Sequence, residues 1–275
     1  MPSGLRGSFH AAALLAVLGI VMFPFYWMLV TALTSPEELF NKVPRMVPNF
    51  ADLGVFVDVF RTGPIGTWLL NSTIVATGTT ALALLLSIFP AYALSRFRFH
   101  GKGLLGLSLF ATQMLPEAMI VVPLYSIFSQ LGLLNSLFGL IVANAAFTIP
   151  IITWVLKGAI DAIPIELEEA ARIDGCSRLD IVLTVTLPLI APTLAAGAVL
   201  AFFHGWNEYL FALTFTSSDS LRTASVGVAG FVGELVTPIH AVMAIGLMYT
   251  LPAVAFYLVI QRYVVAGLTS GGVKG

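Results

Sequence analysis

The chain is poor in cysteine, histidine and charge, and each shortage excludes something. Its single cysteine, Cys176, rules out an intramolecular disulfide and a cysteine-rich metal site. The four histidines, His10, His100, His204 and His240, lie far apart, and no HExxH pair is present. Neither a GxxxxGKS/T loop nor a GxSxG elbow occurs, so nothing in the sequence points to ATP binding by this chain or to a serine hydrolase. Only 10% of the residues are charged, where a soluble domain carries about 25%. The net charge of −1 offers no basic surface for nucleic acid.

Apolar residues make up 58% of the 275, and the mean hydropathy is +0.96. So few charges cannot coat that many apolar side chains in water, so lipid must be the solvent for much of the chain. A bilayer core takes roughly 20 apolar helical residues. Six stretches qualify, at about 11–33, 67–94, 104–129, 136–158, 189–213 and 239–264. Pro24, Pro90, Pro123, Pro150, Pro192 and Pro252 lie in or near them, as kinks that membrane helices tolerate. The first run, 23 uncharged residues, exceeds the 7–15 of a signal-peptide core and reads as a retained span.

Six spans put both termini on one side, and the basic residues choose which. With the termini inside, Arg6, Arg96, Arg98, Lys102, Lys157, Arg172, Arg178, Arg262 and Lys274 are cytoplasmic, against Lys42, Arg45, Arg61 and Arg222 outside. Nine against four fits the positive-inside rule. The expected fold is all-α: a polytopic membrane protein of six transmembrane helices, a single domain over 1–275.

Residues 159–188, between spans four and five, then form a cytoplasmic loop with the chain's densest acids: Glu166, Glu168, Glu169 and Asp174 in "ELEEAARIDG". Pro164 suits the first turn of a helix, and the early glutamates suit the positive end of the helix dipole. Leu167, Ala170 and Ala171 share a face, with Ile173 beside it. Gly175 stands where a left-handed stop belongs, and Ser177 with Asp180 three residues on opens a second helix. These residues describe either a solvated connector or a docking site whose small alanines admit another backbone.

The same segment resembles the EAA loop of permease subunits in bacterial ABC importers. That family's pattern is E-A-A, three residues, G, nine residues, I-x-L-P. Glu169, Ala170, Ala171, Gly175, Leu187 and Pro188 match at that spacing, and Val185 replaces the isoleucine. "NSTIVATGTT", "AYALSRFRFHGKG", "WNEYLFALTF" and "QRYVVAGLTSGGVKG" extend the likeness to the carbohydrate branch and its MalG-like permease. Gly272 replaces the alanine of that branch's usual GAVKG ending. The resemblance implies a type I ABC importer permease in the bacterial inner membrane, with no chemistry of its own. Its coupling residues would be Glu169, Ala170, Ala171, Asp174, Gly175, Leu187 and Pro188, set in a groove of the ATPase, with the acids meeting basic groups at the rim. The implied partners are a second, MalF-like permease, an ATPase dimer that holds ATP and Mg, and an extracellular binding protein. The tail from Val265 onward is implied to reach the ATPase too.

Ionisable groups inside a span are functional candidates. Glu117 and Glu208 qualify, at about 20 and 28 Å above the inner ends of straight spans. "HGWNEY" adds Trp206, Asn207 and Tyr209, flat aromatic faces beside hydrogen-bonding groups, as suits a polyol. The competing readings are a proline-broken helix at "MLPEAM" whose acid bonds freed backbone, and an interfacial aromatic belt. Asn71 and Asn144 are weaker, since buried amides often bond across helices. A self-sufficient secondary transporter is the alternative function, and it would call for repeated halves and a midplane ion site.

Overall fold

The structure, a computed structural model, describes residues 3–231 and 238–271, with side chains for 10–230 and 238–263. Every regular element among the described residues is helical. In chain order they are α1 (Ser3–Ala32), α2 (Gly54–Thr62), α3 (Ile65–Arg96), α4 (Lys102–Thr112), α5 (Glu117–Gln130), α6 (Leu137–Asp161), α7 (Ile165–Ile173) and α8 (Arg178–Ile181). After a π-helical turn over Val182–Thr186 come α9 (Leu187–Leu189), α10 (Ala191–Asn207), α11 (Leu210–Phe215), α12 (Ala224–Phe231) and α13 (Ile239–Gly271).

Four helices, α1, α3, α6 and α13, are singly long and apolar enough to cross a bilayer. Two more crossings arise only if α4 with α5, bent by 101°, and α8–α9 with α10, bent by 81°, each count as one. Spans three and five are therefore not the straight rods that the hydropathy implied. Pro116 explains the first break: it holds an extended ψ of 130° as the residue before α5 and cannot continue α4. At the second, Ile190 leaves helical geometry and Pro192 lies in the first turn of α10.

The chain divides into two compact units, residues 1–66 with 227–251, and 67–226 with 252–275. In the first, α1 buries almost none of its apolar side chains: Leu14, Ile20 and Phe23 are all exposed, a face that suits lipid or another membrane chain rather than water. There the Tyr26 hydroxyl donates to the Met46 carbonyl at 2.6 Å, and Arg45 pairs with Glu38 at 2.9 Å, tying the following loop back.

The second unit carries the candidate site. α10 packs most extensively on α6. One apolar cluster joins α3, α6 and α10 to the loop segment through Ala83, Tyr92, Ile152, Leu156, Val182 and Ala201. Another joins α3, α5, α6 and α11 through Val75, Phe128, Leu140, Phe211 and Phe215. Asn71 is buried and donates to the carbonyls of Ser220 and Arg222, both at 2.9 Å, fastening the loop before α12. Asn144 donates to the Leu140 carbonyl at 2.8 Å within its own helix.

Small residues set the helix spacing. A Cβ at Gly205 would lie 3.1 Å from the Ala76 Cα and 3.3 Å from the Thr79 Cβ, so α3 and α10 touch backbone to backbone there. Gly205→Val is expected to cost about 1–3 kcal/mol by overpacking. Thermal unfolding in detergent checks this, with Gly197→Ala, whose Cβ would meet Leu84 at 3.4 Å and Ile152 at 3.6 Å, ordinary van der Waals contact, as the mild control.

Candidate functional site

The loop that follows α6 folds as a helix, a tight turn and a second helix. Pro164 is the N-cap of α7, one residue before the first turn, and Glu166 and Glu168 occupy that turn. At the other end Gly175 takes φ +90°, where a side chain would strain the backbone. The Gly175 N–H donates to the Arg172 carbonyl and the Cys176 N–H to the Ala171 carbonyl, both at 3.0 Å. This is a Schellman closure, and it fixes the chain's exit direction. Ser177 and Asp180 then cap each other's backbone N–H at the start of α8, as the spacing predicts.

The loop's four acids part company. Glu166, Glu169 and Asp174 are exposed, whereas Glu168 is 2% exposed. Its Oε1 accepts from Arg96 Nε at 2.7 Å and its Oε2 from the Tyr92 hydroxyl at 2.8 Å. Arg96 also donates to the Ile163 carbonyl at 3.0 Å. The expectation that the acids meet a partner's basic groups is therefore corrected for Glu168, whose carboxylate is spent inside this chain. Sequence reasoning missed the pair because Arg96 and Glu168 lie 72 residues apart. The only signal was position: an arginine at the end of a span and a glutamate one turn into the loop helix.

With Glu168 turned inward, the opposite face of α7 is free. Leu167 and Ala170 are exposed, Ala171 is half-buried, and Ile173 is 88% exposed. Leu187 is half-buried and Pro188 exposed after the π-helical turn. An apolar, small-residue face on a helix anchored from behind can receive another protein without the helix having to fold on arrival. The tail's side chains from 264 onward, and all of 272–275, lie outside the described residues; the α13 backbone is helical to Gly271.

The membrane candidates divide as well. The break between α4 and α5 opens a cavity of about 280 Å³ lined by Gln113, Glu117, Phe147, Thr148, Ile151 and His204, among others. Glu117 Oε1 stands 3.9 Å from His204 Nε2, which is buried and makes no hydrogen bond among the described residues. Gln113 donates to the Phe147 carbonyl at 3.1 Å, holding the broken end against α6. Trp206 is buried elsewhere, stacked on Phe202, which in turn stacks on Phe256 at 3.8 Å between centroids. Asn207 and Tyr209 are exposed. Glu208 is buried, and its carboxylate accepts from the N–H groups of Phe211 at 2.5 Å and Ala212 at 3.0 Å. It caps α11 from one residue before the N-cap. The heights inferred from straight spans do not survive bends of 101° and 81°. The structure thus brings Glu117 and His204 to one cavity and sets Trp206 and Glu208 to packing and capping. Glu208→Ala, which loses both cap bonds, is expected to cost about 1–2 kcal/mol, read as a lower Tm, while Glu208→Gln keeps an acceptor and loses less.

The comparison with known families is decisive. Residues 83–270, which include the loop and the cavity, match the binding-protein-dependent transport system inner membrane component. The chain belongs to that family. The permease is 36% identical to the sulfoquinovosyl glycerol transport system permease protein SmoH of Agrobacterium fabrum, over 99% of its own length and 95% of the relative's. It is also 36% identical to the trehalose/maltose transport system permease protein MalG of Thermococcus litoralis, over 96% of its length and 95% of that chain. In fold it is similar to a chain of a bacterial ABC transporter involved in the import of the acidic polysaccharide alginate. The TM-score is 0.80 over 94% of this chain and 96% of that one, at 22% identity. The permease is therefore a subunit of a membrane-embedded ABC importer, and such importers work as assemblies with a partner permease, an ATPase and a solute-binding protein. A self-sufficient secondary transporter is not favoured.

Proposed function

We propose that the permease carries a sugar or sugar conjugate inward, with α7 as the helix on which a cytoplasmic ATPase closes. The observation that carries the substrate class is full-length identity of 36% to relatives whose names specify trehalose/maltose and sulfoquinovosyl glycerol. The cavity supports it: one acid, one imidazole, three neutral polar groups and an aromatic ring suit hydroxyl-rich solutes. Its volume is close to the lower end of small-molecule sites, about 300 Å³, as expected of half a path that a second, homologous permease completes.

In this reading both termini and α7 are cytoplasmic, on the side the basic residues select. ATP and Mg belong to the partner ATPase dimer. Its closure moves α7, and the spans answer by exchanging outward for inward access. The coupling residues Glu169, Ala170, Ala171, Asp174, Gly175, Leu187 and Pro188 present or shape the docking face. An extracellular binding protein delivers the solute.

The test is uptake of a saccharide panel by the complete assembly in liposomes. ATP-dependent accumulation of a saccharide, only with binding protein outside, is the expected result. Inertness toward every saccharide with transport of an amino acid or inorganic ion would overturn the substrate class.

A further inference from the structure

We infer that Arg96, Glu168 and Tyr92 form the joint through which α7 drives α3, with Glu168 and Arg96 as positioning residues for transport. This rests on the reading of α7 as the helix the ATPase moves.

A docked helix transmits motion only where it is fixed to the spans, and α7 spans nine residues between two turns. Its firmest polar attachment is the carboxylate of Glu168, held by two donors from the last two turns of α3, Tyr92 and Arg96. The Arg96 side chain is 10% exposed and Glu168 2%, so the pair is shielded from water and salt. Arg96 also grips the Ile163 carbonyl, just before α7, so one guanidinium holds both the helix and its approach. Immediately beyond, Phe97 lies under the guanidinium of Arg178 in α8 at 4.7 Å and edge-on to Tyr92 at 5.9 Å. The inner end of α3 therefore touches both helices of the loop. A push on the exposed face of α7 reaches α3 through a charged contact that, once desolvated, resists lengthening. A mere staple would need no such directionality. Buried, doubly bonded pairs are costly to assemble, and hydrophobic packing would fasten the helix as well.

The experiment uses the complete transporter with its binding protein and measures solute accumulated per ATP hydrolysed. Glu168→Gln and Arg96→Gln are each expected to lower that ratio about tenfold in assembled complex. The double variant should be no worse than either single one, because the two act as a unit. Tyr92→Phe should lower the ratio less. An assembled Glu168→Gln complex with a wild-type ratio, whatever its Tm, overturns the proposal. If the glutamine variants do not assemble, Arg96→Lys decides. It keeps the charge but not the fork that spans Glu168 and Ile163, and a wild-type ratio there also overturns the joint. Failure of the underlying reading looks different: the wild-type assembly itself would show no ATP hydrolysis linked to uptake.

Discussion

Gly175→Val is expected to abolish binding-protein-stimulated ATP hydrolysis and solute uptake together, while the spans stay folded. At φ +90° a β-branched residue is strongly disfavoured, and any L side chain costs about 1–2 kcal/mol. Nothing lies within 4 Å of a Cβ built there, so the penalty is conformational rather than steric crowding. The chain escapes it by releasing the Gly175–Arg172 and Cys176–Ala171 bonds, which redirects α8 relative to α7. Docking must then rebuild the turn, and each ~1.4 kcal/mol so spent weakens docking about tenfold. Uptake should fall in the order Gly, Asn, Ala, Val, because asparagine tolerates positive φ best of the three replacements. Parallel loss of uptake and stimulated hydrolysis checks the account; uptake preserved in Gly175→Val would show that the turn is not needed.

Glu117→Ala and His204→Ala should separate those two readouts. Both residues line the cavity beside the α4–α5 break, and neither belongs to the 159–188 loop. Removing one charged or imidazole partner from a bound polyol costs hydrogen bonds worth together roughly 1.5 kcal/mol, or about tenfold in uptake. Hydrolysis stimulated by loaded binding protein should persist if α7 is the coupling helix proposed above, because α7 is untouched. Equal loss of both activities would make the cavity structural instead.

The loop was the most legible part of the sequence because its signals are local. Gly175 and the Ser177–Asp180 pair dictate backbone geometry within four residues and do so in the structure, while Pro164 marks the helix start one residue earlier than its first turn, as the N-cap. Glu208 was legible in principle too: an acid two residues before the "LFALTF" helix is a capping signal, obscured by the aromatic company of Trp206 and Tyr209. The bends were only half legible. Pro116 and Pro192 announce breaks, but a hydropathy window carries no information on how far the chain turns at them, 101° and 81°. The Arg96–Glu168 pair was invisible for the same reason, since its partners meet only once α3 and α7 are both in place.

The most direct test of the docking face is cross-linking in the assembled transporter. A cysteine is placed at Ile173, Ala170 or Glu168 of a Cys176→Ser permease, opposite a cysteine in the ATPase groove. The account predicts efficient cross-links from 173 and 170, which face outward, and none from 168, which faces α3. Absence of cross-links from 173 and 170 in a complex that still transports, or a strong one from 168, would contradict it.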